Sequence, residues 1–81
     1  MAIPDDATIA ACLMALAKGR GPGKTFCPSE AARRLAADWR PLMPEIRRVA
    51  ATLPLRTTQK GVPVDPLIAR GPIRLSLDSA V

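Results

Sequence analysis

The apolar residues of this chain change their spacing once, near Pro54, and that change limits the folds open to it. Before it, Ile9, Cys12, Leu13 and Leu16 fall at i, i+3, i+4 and i+7, one face of a helix. Leu42, Ile46, Val49 and Leu53 repeat the helical period. After it, Leu55 and then Ile73, Leu75 and Leu77 alternate with polar neighbours, the period of a half-buried strand. Helices come first and strands last.

Punctuation residues divide the helical part into three. Asp5 or Asp6 can cap the first helix, and Gly19 and Gly21 close it. In "KTFC", Thr25 and Phe26 favour extension and Pro28 drives Cys27 out of α geometry. Pro28 then suits the first position of a second helix, with Glu30 in its first turn and Ala31, Ala32 and Leu35 on its apolar face. Pro44 suits the first position of a third helix. Between the strands, "KGVPVDPLIARGP" reads as a long loop, with Leu67 and Ile68 folding back onto the domain. The expected fold is mainly α with a small β part: a winged helix-turn-helix of three helices, a short strand and a C-terminal β-hairpin wing.

At 81 residues the chain is one domain, residues 1–81. A chain this short buries only about 60% of its unfolded surface. Phe26 and Trp39 are its only aromatic residues, so the core is built from Leu, Ile, Val and Met, with Trp39 as an anchor between helices.

The stretch "GRGPGKT" looks like a phosphate-binding loop, but the spacing is wrong. The pattern needs a glycine five residues before the glycine of G-K-T, and that position is Lys18. The loop turns a corner. The chain has no histidine, which removes the commonest general base and the His-containing nucleophile pairs and zinc sites. Cys27 at a helix start is a structural residue, and the carboxylates show no paired spacing. No enzyme, no metal and no cofactor is expected. Cys12 and Cys27 lack C-x-x-C spacing and read as free thiols of a cytoplasmic protein. No apolar run spans a membrane and no basic leader opens the chain, so no membrane partner is expected.

Twelve Lys and Arg against seven Asp and Glu give a net charge of +5, which favours polyanions, nucleic acid first. Arg47 and Arg48 lie opposite the apolar face of the third helix, where a recognition helix would meet duplex DNA. Lys60, Arg70 and Arg74, with Arg56 on the outward strand face and Lys24 in the first loop, would hold phosphates. Ion pairs inside the molecule at Arg47 and Arg48 would end that case. The alternative is a protein-interaction or dimerisation module without nucleic acid, in contact through Val62, Leu67 and Ile68. Trp39 as a base-stacking residue, and Arg33 and Arg34 as more than a solvated face, carry less weight.

Four stretches, "GPGKTFCPSEAARRLA", "WRPLMPEIRRVAA", "TQKGVPVD" and "RGPIRL", together resemble the small bacterial proteins grouped as domain of unknown function 3253. The resemblance runs from the first helix to Leu77 and implies a compact winged-helix fold, with no activity attached. The connection from Leu53 to Gln59 looks short for such proteins, which leaves open whether Arg56 or Thr57 faces outward.

Overall fold

Helix ends fall where the capping chemistry directs. The structure, a computed structural model, describes residues 4–21 and 23–78. Helix α1 spans Asp6–Arg20. Asp5 caps it: its Oδ1 accepts the Thr8 backbone N–H at 2.8 Å, and that bond holds the Asp5 carboxyl below its usual range. Gly21, at φ 87°, ends the helix, whereas Gly19 lies within it. Helix α2 is Pro28–Leu35, with Pro28 in the first turn and Cys27 extended before it. A 3-10 turn, Arg40–Leu42, leads into α3, Met43–Ala50. Pro44 therefore stands one residue inside α3 rather than at its start.

The wing is more built than a hairpin with an open connection. Strand β1 is Leu55–Gln59, β2 is Val62–Pro63 and β3 is Arg74–Leu77, antiparallel in the order β2-β1-β3. Lys60 at φ 53° and Gly61 at φ 82° form a two-residue turn, so the chain doubles back as β2 before the longer loop begins. Positive φ at both central residues is the geometry that matches strand twist in a tight hairpin.

Pairing of Leu55 with Leu77, Arg56 with Ser76, Thr57 with Leu75 and Thr58 with Arg74 fixes the faces. Thr57 and Leu75 are buried, so Arg56 and Arg74 point outward. Phe26 adds a one-residue bridge on the far side of β3, exchanging two 2.8 Å backbone hydrogen bonds with Leu75. The short strand expected between the first two helices is this single bridge.

The core lies between the three helices and the inner sheet face. Ile9, Leu13 and Leu16 of α1, Ala31 and Ala32 of α2, and Ile46 and Val49 of α3 meet Phe26 and Leu75 there. The two alanines leave room for the neighbouring helices to approach α2 closely. Trp39 packs at the margin, half-buried, and is not a central anchor. Three helices and a three-stranded antiparallel sheet in this order make a small winged-helix-like α+β fold.

Candidate interaction surfaces

The glycine-rich corner between α1 and α2 is held by an ion pair, Arg20 Nη2 to Glu30 Oε2 at 2.6 Å. Lys24 beside it is exposed. At the start of α2, Cys27 Sγ accepts a hydrogen bond from the Ser29 hydroxyl at 3.0 Å. Cys12 Sγ donates to the Ala31 carbonyl at 3.8 Å, and burial pushes its thiol up, opposed by the charge of Arg34. Among the described residues no cluster of His, Cys, Asp or Glu could hold a metal ion. No helix among them is long and apolar enough to cross a membrane.

Arg47 and Arg48 do not stand free on the outer face of α3 as expected. The Arg47 guanidinium reaches across to the wing loop and donates to the Ala69 and Gly71 carbonyls, each at 2.6 Å. Arg48 Nη2 lies 2.6 Å from both Asp6 Oδ1 and Glu45 Oε2. Those two carboxylates hold Arg48 above the usual arginine value, and Arg48 in turn holds Asp6 below the usual carboxylate range. Acids therefore interrupt the basic face on one side, and the wing loop occupies it on the other. Glu45, three residues before Arg48, was the one signal of this visible in sequence. Asp6 and the loop carbonyls lie far away along the chain.

The remaining expected cations sit on the wing and beside it. Arg56, Lys60 and Arg70 are exposed and make no ion pair among the described residues. Arg74 lies over the sheet edge and donates to Thr25 Oγ1 at 3.1 Å and to the Thr25 carbonyl at 3.2 Å. The structure thus spreads these bases over the outer sheet face and the loop, apart from the two arginines of α3.

The wing loop is ordered by polar staples. Asp65 Oδ1 accepts the Leu67 N–H at 2.8 Å, and the Asp65 carbonyl accepts from Ile68 and Ala69. Gln59 Nε2 donates to the Arg70 and Pro72 carbonyls. These bonds, with those from Arg47, fix a loop whose tip turns outward. Leu67 is 61% exposed, Ile68 77% and Val62 60%, so the tip does not fold back as expected. Beside the tip lies a groove of about 300 Å³ lined by Met43, Pro44, Arg47, Pro66 and Leu67.

Sequence reading missed a second cluster. The guanidinium carbons of Arg33, in the last turn of α2, and of Arg40, in the 3-10 turn, each lie 4.7 Å from the centroid of the Trp39 ring. A tryptophan between two arginines seven residues apart was the available signal.

No curated protein matches the chain. Residues 6–78 match the family described as protein of unknown function DUF3253, nearly the span of the described fold, and the chain belongs to that family.

Proposed function

We propose that this domain is a non-catalytic protein-interaction module that self-associates through the tip of its wing and the groove beside it. The observation that carries this is a hydrogen-bonded loop that presents Ile68 to solvent and whose Pro66 and Leu67 form, with Met43, Pro44 and Arg47 of α3, the walls of an open groove. Burying one such side chain is worth about 1.5–3 kcal/mol. Ordering a loop costs conformational entropy, and here the Arg47, Gln59 and Asp65 bonds have met that cost before any partner arrives. A projecting Ile68 beside a concave groove on the same surface is self-complementary: a two-fold axis lets each copy place its tip in the other's groove.

Sheet extension is disfavoured as the mode of contact. The outer strand β2 is two residues long and contains Pro63, which offers no N–H to a neighbour. Recognition of DNA led by α3 is not supported either, because Arg47 and Arg48 already have partners in the chain.

Light scattering at several concentrations, in low and high salt, tests this. A dimer that persists in high salt is expected, and Leu67→Ser with Ile68→Ser should leave a folded monomer. A chain that stays monomeric at every concentration, or a dimer unaffected by the two substitutions, overturns it.

A further inference from the structure

Arg33 and Arg40 flank Trp39 at the turn that joins α2 to α3, and Arg34 follows Arg33 in the last turn of α2. Helix α2 ends at Leu35 and Ala36 is extended, which brings the end of α2 and the start of the next turn to the same indole ring. Arg33 and Arg40 each lie 4.7 Å from its centroid. All three arginines are exposed, and none of their side chains makes an ion pair or a hydrogen bond among the described residues. Asp38 is the only acid between Arg33 and Arg40 in the sequence, and it pairs with none of them.

The chemistry of the stack suits phosphate. An arginine over an aromatic ring is attracted by the ring's quadrupole and is weakly hydrated, while its N–H groups stay in the plane of the fork and point away from the ring. Two forks held by one indole lose less side-chain freedom on binding than two free arginines. Each fork can take two oxygens of one phosphate. In a helix-turn-helix order the helix before the turn crosses the duplex backbone, and Arg33 stands in the last turn of that helix, α2.

We infer that the Arg33–Trp39–Arg40 cluster is a binding site for the phosphate backbone of double-stranded nucleic acid. It lies at the start of the α3 segment, and neither Arg47 nor Arg48 takes part. It is independent of the wing-tip contact proposed above.

The experiment measures affinity for a short labelled DNA duplex as salt rises. Each phosphate contact contributes a slope of about −0.9 in log affinity against log salt. Arg33→Glu with Arg40→Glu should lower affinity at least about tenfold with the melting temperature little changed, since both side chains are exposed. The charge-matched wing variant, Arg56→Glu with Arg70→Glu, controls for net charge and should lower it far less. Trp39→Leu, which keeps every charge, should weaken binding by releasing the forks. Leu67→Ser with Ile68→Ser should leave binding intact, which separates failure here from failure of self-association. Absence of duplex binding at low salt overturns the inference. So do equal losses in the two charge-reversal variants, or equal affinity for polyglutamate, which would mark an acidic protein as the partner.

Discussion

Two Arg-Arg pairs stand in the last turns of two eight-residue helices, Arg33–Arg34 in α2 and Arg47–Arg48 in α3, and they have opposite fates. In sequence they look alike. The second pair is consumed by the fold, one arginine tying the wing loop to α3 and the other tying α3 to the start of α1. The first pair has no carboxylate partner among the described residues, and one of its members stacks on Trp39. An arginine's position on a helix face therefore says little about its availability. What decides is which carbonyls and carboxylates the tertiary fold brings within reach.

This contrast can be broken by exchanging which pair matters for stability and which for binding. Arg47→Ala should show the largest effect on folding, about 1–2 kcal/mol, because it removes hydrogen bonds from a charged donor to two carbonyls. Chemical denaturation measures it, and amide exchange at Ile68 and Ala69 should quicken in the variant. Arg33→Ala should cost less than about 1 kcal/mol, the worth of an exposed cation–π contact. Equal losses in the two variants would erase the distinction.

A smaller effect sharpens the role of Arg48. Asp5 and Asp6 both have carboxyls depressed below the ordinary 3.8 in the folded state, Asp5 by its bond to Thr8 and Asp6 by its bond to Arg48. A depressed carboxyl contributes stability that is present above its unfolded value and is lost as pH falls through its folded value. Stability should therefore decline as pH drops below about 3.8. Arg48→Ala should flatten that decline by removing the Asp6 part and leave the Asp5 part, as urea titrations across this pH range would show. An unchanged acid limb would mean that the Arg48–Asp6 pair contributes nothing in solution.

The smallest effect lies in the turn of the wing. Lys60 occupies a left-handed conformation that costs an ordinary residue roughly 1–2 kcal/mol, whereas asparagine adopts it more readily. Lys60→Asn should raise the melting temperature slightly, and leave both dimer formation and duplex affinity close to the native values. A loss of stability would show that the Lys60 stem makes a compensating contact.

Local chemistry made much of the fold legible. Asp5, Gly21 and Pro28 mark helix ends because capping acts within a few residues, and strand alternation at Leu55 and Leu75 set the inner face. The doubling back at Val62 was hidden, because a Lys-Gly turn has a weaker signature than Asn-Gly and Pro63 argues against a strand. The exposure of Leu67 and Ile68 was hidden for a different reason. Periodicity assumes that apolar residues seek the core, and only the distant donors Gln59 and Arg47 show that this loop is held elsewhere. The candidate surfaces were half legible. The wing bases and apolar tip were named from sequence, while the partners of Arg47 and Arg48 and the stack on Trp39 depend on contacts across elements.

The bridge between Phe26 and Leu75 joins a residue from the first third of the chain to the last strand. Both side chains are fully buried, so the hydrophobic centre closes only after β3 has arrived. Contacts among the three helices are available earlier in the chain, but native order at the centre waits on this pairing across 49 positions, a separation that slows folding.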